Sequence, residues 1–88
     1  MKQAINNIIY DTEESVSLAS GSELICVTEL YRTKKGKYFQ HVTVRYSPEP
    51  KESIEVLSTT QALEVFNKLS NRFIDYGEAF PDITFEDA

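Results

Sequence analysis

The chain has 88 residues and a formal net charge of −5, and 41% of its residues are hydrophobic and 26% charged. A chain of this length holds a single hydrophobic core, so we expect one domain. Its hydrophobic content excludes a chain that is disordered throughout. Its acidic balance disfavours general binding to nucleic acids or to anionic membranes.

The chain contains one cysteine, Cys26, which cannot form an internal disulfide. Ile25 and Val27 flank it, as expected for a buried thiol in a strand. The N-terminal residues lack the apolar stretch of a signal peptide, and no apolar run is long enough to cross a bilayer. These features predict a cytoplasmic protein that does not bind membranes.

The N-terminal third of the chain predicts short strands. Residues 3–10 are expected to form one weak strand, and the polar residues 11–14 are expected to turn the chain. Residues 15–19 alternate polar and apolar side chains, which predicts a half-buried strand. A helical turn capped by Thr12 is the alternative. Residues 20–22 are predicted to form a loop.

Residues 24–46 predict a β-hairpin. Its two arms, residues 24–33 and 37–46, are rich in β-branched and aromatic residues. The turn at residues 33–36 is basic and ends in Gly36, which readily accepts a positive φ. The strand pattern ends at Ser47-Pro48-Glu49-Pro50, because proline cannot continue a central ladder.

A last strand and a helix are predicted in the C-terminal half. Residues 54–57 have the composition of a short strand, and Ser58 with Gln61 has the spacing of a helical capping box. Apolar residues then recur at intervals of four and three, which predicts one long amphipathic helix that ends near Gly77. These apolar residues are Ala62, Phe66, Leu69, Phe73 and Tyr76.

The elements together predict an α+β fold. We expect an antiparallel meander of four or five strands with one long C-terminal α-helix packed on one face. Residues 1–80 would form the domain and residues 81–88 an acidic C-terminal tail. The tail carries Ile83 and Phe85 between its acids, so it is either a frayed terminus or a segment that docks on a partner or on its own sheet.

The sequence predicts no catalytic, cofactor-binding or metal site. One cysteine and one histidine, His41, make no metal-binding cluster, and three scattered glycines make no phosphate loop. The hairpin register that we expect places Cys26 opposite Thr43, so a catalytic Cys26–His41 pair is not expected. We therefore predict a protein that is not an enzyme.

Two acidic clusters and one basic cluster are candidate binding sites. The acidic candidates for partner binding are Asp11, Glu13, Glu14, Asp75, Glu78, Asp82, Glu86 and Asp87. The basic turn offers an alternative, because lysines interleaved with aromatic rings can hold a phosphate backbone and stack a base. Its residues are Tyr31, Arg32, Lys34, Lys35, Lys37 and Tyr38. Lysine-rich turns also serve simply to keep a sheet soluble, or dock on another protein.

Part of the chain resembles a group of small proteins encoded by phages, prophages and other mobile elements of Gram-positive bacteria, most of them without an assigned function. The resemblance covers about residues 8–66. It is carried by Tyr10-Asp11-Thr12-Glu13, by Leu30-Tyr31-Arg32-Thr33-Lys34-Lys35-Gly36-Lys37-Tyr38-Phe39-Gln40-His41, and by Leu57-Ser58 with Ala62-Leu63. In that group a glycine-rich loop commonly follows the position of His41, whereas residues 42–46 here continue as a strand. The resemblance implies no catalytic or binding residue.

The resemblance sets an expectation about biological context. Small acidic proteins of mobile elements are often inhibitors of host defence, and anti-CRISPR proteins are the best-known class. We therefore expect a non-enzymatic interaction protein that inhibits a host defence nuclease, such as a CRISPR effector, through its acidic surface. The alternatives are a weak single-stranded nucleic-acid binder that uses residues 31–39, and an accessory protein that self-associates through an exposed sheet edge.

Overall fold

The computed structural model describes residues 1–45 and 48–88, which form a mixed α+β fold. The elements, in chain order, are β1 (Lys2–Ile5), β2 (Ile8–Asp11), β3 (Val16–Ser22), β4 (Cys26–Arg32), β5 (Tyr38–Val44), β6 (Lys51–Leu57), α1 (Thr59–Lys68), β7 (Asn71–Arg72) and α2 (Tyr76–Ala79). The predicted fold class is confirmed. Tyr46, predicted to lie in the second hairpin arm, and Ser47 lie outside the described residues.

The main sheet has five strands in the order β6-β5-β4-β3-β7, and all neighbouring strands are antiparallel. Strands β3 to β6 form the predicted meander. The register places Arg32 opposite Tyr38, and side chains alternate between the two faces along each strand. Leu30 and Tyr38 therefore lie in the core on one face, while Tyr31 and Phe39 lie in a second core on the other.

The N-terminal segment is a hairpin, so the prediction of a single strand over residues 3–10 is wrong. Strands β1 and β2 pair with each other across Asn6 and Asn7, whose φ angles are 51° and 64°. Asparagine tolerates this left-handed region, and a two-residue turn of this hand fits the twist of a hairpin. The hairpin covers one face of the main sheet, where the Tyr10 ring packs edge-on against Phe39 with centroids 5.5 Å apart.

Helix α1 covers the opposite face of the sheet. It begins with the predicted capping box: the Gln61 amide donates to Ser58 Oγ at 3.1 Å, and the Ser58 amide donates to Gln61 Oε1 at 2.9 Å. Ala62 and Phe66, from the predicted apolar stripe, are buried against the sheet.

Helix α1 ends at Lys68, so the prediction of one long C-terminal helix is wrong. Leu69 has an extended backbone, and Asn71 and Arg72 pair with the edge of β3 as the short strand β7. The Phe73 amide then donates to the Leu18 carbonyl at 3.0 Å. The edge of β3 provides hydrogen-bond partners for backbone groups that would otherwise bond within a longer helix. Phe73 therefore does not lie on the helical stripe.

Strand β3 is adapted to receive this C-terminal chain. A register shift between Ser17 and Ala19 places both Leu18 and Ala19 in the core, as a bulge does. Gly21 lies where a Cβ atom would come within 2.9 Å of Leu69 Cδ2. The absence of a side chain at this position leaves room for the end of the Leu69 side chain, whereas the Leu69 Cα atom would lie at an ordinary 3.7 Å from such a Cβ atom.

No helix in the described ranges 1–45 and 48–88 has the length and apolar character needed to span a membrane.

Because α1 ends at Lys68, two phenylalanines of the predicted apolar stripe should contribute differently to stability. Phe66→Ala should lower the free energy of unfolding by about 3–5 kcal/mol, because the ring is fully packed in the core. Phe73→Ala should lower it by less than about 1 kcal/mol, because 55% of this residue is exposed. Urea unfolding measures both values. Equal losses would contradict the observed end of α1, and Phe66→Leu gives the same ordering if the alanine variant does not fold.

Candidate partner-binding surfaces

The structure places the predicted acidic residues in two groups. Asp11, Glu13 and Glu14, the N-terminal acidic group, lie at the end of β2 and in the loop that follows it. The remaining five lie between residues 75 and 87, a stretch that we call the C-terminal acidic segment. The two groups differ in how much of their charge is already satisfied within the molecule.

Local hydrogen bonds fix the N-terminal acidic group. Asp11 Oδ1 accepts from the Glu13 amide at 3.0 Å, and the Asp11 carbonyl accepts from the Ser15 hydroxyl at 2.7 Å. Glu14 Oε2 lies 2.9 Å from Lys34 Nζ, and the hydrogen bond and charge of this carboxylate raise the pKa of Lys34. An exposed pair of this kind contributes little to stability, but it partly neutralises both the acidic group and the basic turn.

The C-terminal acidic segment is anchored to the domain at several points. Phe80 is buried in the main core, and Ile83 packs against that core. The Ile83 amide donates to the Phe80 carbonyl at 3.1 Å, and the Phe85 ring lies 5.4 Å from the Tyr76 ring between centroids. These contacts tie Phe80, Ile83 and Phe85 to the main core and to α2.

Arg32 connects the basic turn to this segment. Its Nη1 atom donates to the Ala79 carbonyl at 2.7 Å and also to the Glu78 carbonyl, at the end of α2. The Tyr38 hydroxyl donates to the same Ala79 carbonyl at 2.9 Å. Burial raises the pKa of Tyr38, and the neighbouring Arg32 guanidinium opposes that shift. Arg32 therefore holds the segment by donating to the carbonyls of Glu78 and Ala79, which have no partner within α2 because they lie at its end.

The carboxylates of the C-terminal acidic segment remain available for a partner. Asp75, Glu78, Asp82, Glu86 and Asp87 all belong to exposed residues. Within residues 1–45 and 48–88, none of them forms an ion pair with a lysine, arginine or histidine. The segment thus presents unneutralised negative charge on an anchored backbone.

The basic turn offers a nucleic acid fewer exposed groups than the sequence predicts. Tyr31 and Tyr38 are buried in the two cores, so their rings cannot stack with a base. Arg32 is occupied at the end of α2. The exposed remainder is Lys34, Lys35 and Lys37, which border a groove of about 470 Å³ that also contains carboxylates of the N-terminal acidic group.

A polar network on the sheet was not predicted from the sequence. His41 Nε2 lies 2.9 Å from Glu52 Oε1, and its Nδ1 lies 4.0 Å from Glu29 Oε1. Tyr31 donates its hydroxyl to Glu29 Oε2 at 2.9 Å. The network links β4, β5 and β6 on the face shared with the N-terminal hairpin, and only the register of the hairpin could have indicated it.

The register also separates the cysteine from the histidine. Cys26 lies opposite Val44 rather than opposite Thr43. The hairpin loop is one residue longer than predicted, and Arg32 and Tyr38 are the last paired residues before it. His41 lies opposite Glu29, so Cys26 and His41 belong to different faces and cannot act as a pair. Among the described residues no group of three histidine, cysteine or carboxylate side chains is placed to hold a metal ion.

No protein-family model, curated protein or solved structure significantly matches the chain.

Arg32→Gln should loosen the C-terminal acidic segment. Removing the cation leaves the carbonyls at the end of α2 with a weaker donor, so the free energy of unfolding should fall by about 1–3 kcal/mol. Hydrogen exchange should accelerate at the Ala79, Phe80 and Ile83 amides, whose bonds hold the segment. Lys37→Gln is the control, with the same loss of charge at an exposed position. Equal exchange in the two variants would contradict the anchoring role of Arg32.

The network around Tyr31 predicts a loss of stability at high pH. Burial, followed by the hydrogen bond and charge of Glu29, raises the pKa of Tyr31 from 10.0 to about 12. The folded state therefore holds the phenol proton more tightly than the unfolded state does. Its stabilisation is complete below pH 10 and disappears as the pH rises towards 12.

Urea unfolding of the wild type and of Tyr31→Phe at a series of pH values measures this effect. The wild type should lose stability more steeply than Tyr31→Phe above pH 10, whereas the two should run parallel from pH 7 to pH 9. Parallel curves over the whole range would show that Tyr31 does not cause the loss.

Proposed function

We propose that the protein is a non-enzymatic interaction protein that inhibits a nucleic-acid-binding partner by covering the partner's basic surface. The observation that carries the proposal is the C-terminal acidic segment, whose exposed carboxylates have no ion-pair partner within the described residues. A surface that binds phosphates is lined with lysine and arginine, and these are the side chains that unneutralised carboxylates attract.

The anchoring of the segment supports an inhibitory role. Binding costs less conformational entropy when the binding groups are already held in place. Phe80 and Ile83 hold the segment from the core side, and Arg32 holds the end of α2. Carboxylates carried on an anchored backbone can therefore compete for cationic side chains with a nucleic acid, whose own affinity depends strongly on salt.

The choice of partner rests on the resemblance to proteins of mobile elements. It favours a host defence nuclease, and a CRISPR effector is the example with the best-defined basic channel, which holds an RNA–DNA duplex mainly through its backbone. On this proposal the protein competes with the guide or target nucleic acid for the channel and takes no part in the cleavage chemistry.

The two alternatives have weaker support. The nucleic-acid alternative loses its stacking rings, because Tyr31 and Tyr38 are buried, and it keeps three lysines of which one pairs with Glu14. Self-association through an exposed sheet edge rests on β6, which is the outer strand of the five-stranded sheet. Lys51, Glu52 and Glu55 lie on that strand, and charged side chains on an edge oppose pairing between sheets.

Neutralising the acidic segment should weaken binding to a CRISPR effector nuclease from a Gram-positive host, purified without its nucleic acids. We expect Asp82→Asn, Glu86→Gln and Asp87→Asn in one chain to raise the Kd roughly tenfold or more, because three rim charges at about 0.5–1 kcal/mol each are lost. Titration calorimetry at 150 mM salt measures the Kd, and a nuclease assay measures inhibition.

The matched control removes three exposed glutamates elsewhere: Glu23→Gln, Glu49→Gln and Glu64→Gln. It changes the net charge equally and should change the Kd less than threefold. An equal rise in Kd for the two triple variants would show that binding depends only on the net charge of the chain. A loss of binding in Lys34→Glu with Lys35→Glu, alongside full binding by the acidic-segment variant, would favour the basic turn instead.

A further inference from the structure

The C-terminal part of the chain exposes three aromatic rings that form one surface. Phe73 is 55% exposed, Tyr76 40% and Phe85 41%. The Tyr76 ring contacts the Phe85 ring, and Tyr76 and Phe73 border the same shallow hollow, of about 220 Å³. We call these three residues the aromatic patch. Clustered exposed aromatic rings are typical of surfaces that bind another molecule.

The aromatic patch is held in position from below. The Tyr76 ring packs edge-on against buried Phe66 with centroids 5.2 Å apart, and its hydroxyl donates to Asn67 Oδ1 at 2.5 Å. The Phe85 ring lies 6.5 Å from the buried Phe80 ring. Because the Tyr76 and Phe85 side chains already make these contacts, they lose little rotamer entropy when a partner covers them.

Charge selects the kind of partner. Asp75 borders the hollow beside Tyr76, Glu78 lies on α2, and Glu86 follows Phe85 directly in the chain. Arg72 also borders the hollow, where its guanidinium donates to the Phe66 and Asn67 carbonyls, and no lysine or arginine follows it in the chain. A neutral apolar partner would leave these carboxylates without counter-charges at the rim, and an acidic partner would be repelled.

The combination of flat rings and carboxylates favours arginine over lysine. A guanidinium is planar, is weakly hydrated and stacks on aromatic faces, and its N–H fork also matches a carboxylate. The chain contains an example at the edge of the same cluster. Arg72 Cζ lies 5.8 Å from the centre of the Phe66 ring, and Arg72 Nη1 donates to the Asn67 carbonyl at 3.2 Å.

We propose that Phe73, Tyr76 and Phe85 form a docking surface for an arginine-rich segment of a partner protein. The rings receive guanidinium groups by stacking, and the neighbouring carboxylates of the C-terminal acidic segment pair with them. This inference rests on the proposed function and specifies the feature of the partner's basic surface that is recognised. It makes arginine content, and not positive charge alone, the basis of recognition.

Two synthetic peptides of equal charge test the inference: nona-arginine and nona-lysine. Titration calorimetry of the full chain at 150 mM salt should give a Kd for nona-arginine at least fivefold lower than that for nona-lysine. Phe73→Ser with Phe85→Ser should bring the two Kd values within twofold of each other. The variant with Asp82→Asn, Glu86→Gln and Asp87→Asn should bind both peptides more weakly by a similar factor, because it lacks the charges and keeps the rings.

The control for the aromatic substitutions removes two exposed apolar side chains far along the chain from the patch, Leu24→Ser and Ile9→Ser. It should retain the wild-type preference for arginine. Thermal unfolding verifies that each variant is folded, and Phe73→Ser alone replaces the double variant if the change at Phe85 destabilises the chain. Equal affinity of the wild type for the two peptides would overturn the inference, as would an equal loss of preference in the control.

Failure of the inference and failure of the proposed function give different results. If the Phe73/Phe85 variant still binds and inhibits the nuclease while the acidic-segment variant does not, the inference is wrong and the proposed function stands. If the wild type prefers nona-arginine and does not bind the nuclease, the docking surface is supported and the proposed function is wrong.

Discussion

The backbone hydrogen bonds between residues 71–73 and the edge of β3 determine the position of every residue that follows. They end α1, and they direct the chain along the sheet edge instead of along the helix axis. Gly21 makes room for Leu69 at the point where the chain changes direction. Without this edge pairing, Phe73 and Tyr76 would continue a helical stripe over the sheet and the C-terminal acids would lie elsewhere.

The two faces of the sheet are covered in different ways. The N-terminal hairpin closes one face through a small aromatic core around Phe39, while α1 and Phe80 close the other. The aromatic residues Tyr31 on β4 and Tyr38 and Phe39 on β5 are each buried in one of these cores. The aromatic residues of the most basic stretch thus build the two cores, whereas its lysines remain exposed. The exposed aromatic rings with acidic neighbours occur instead at the C-terminus.

Short-range contacts decide which charges of this molecule are neutralised. The sequence shows a basic turn separated from two acidic clusters, which indicates well-separated poles. The fold instead pairs Glu14 of the N-terminal acidic group with Lys34, and it places Arg32 against backbone carbonyls at the end of α2. Charge remains unneutralised where the chain supplies no cation, after Arg72. That asymmetry is visible in the sequence, and the anchoring that orders it is not.

Local patterns in the sequence determined the elements whose partners lie close along the chain. The capping box at Ser58 and the alternation in the hairpin arms follow from hydrogen-bonding chemistry and side-chain period within a few residues. The presence of a turn before Tyr38 follows in the same way, whereas its length differs from the prediction by one residue. The turn at Asn6-Asn7 belongs to the same class, and its signal was present in the sequence and missed. The acidic composition of the C-terminus was likewise readable.

Only the tertiary structure decided where α1 ends, which aromatic residues are buried and what holds the acidic segment. The 4-3 spacing through Phe73 is equally compatible with a helix and with a chain that leaves it, and the choice depends on unpaired backbone groups at the edge of β3, about fifty residues earlier. The role of Arg32 depends in the same way on carbonyls more than forty residues away. Contacts between distant parts of a chain leave no periodic signal in it, so a pattern of local spacing cannot reveal them.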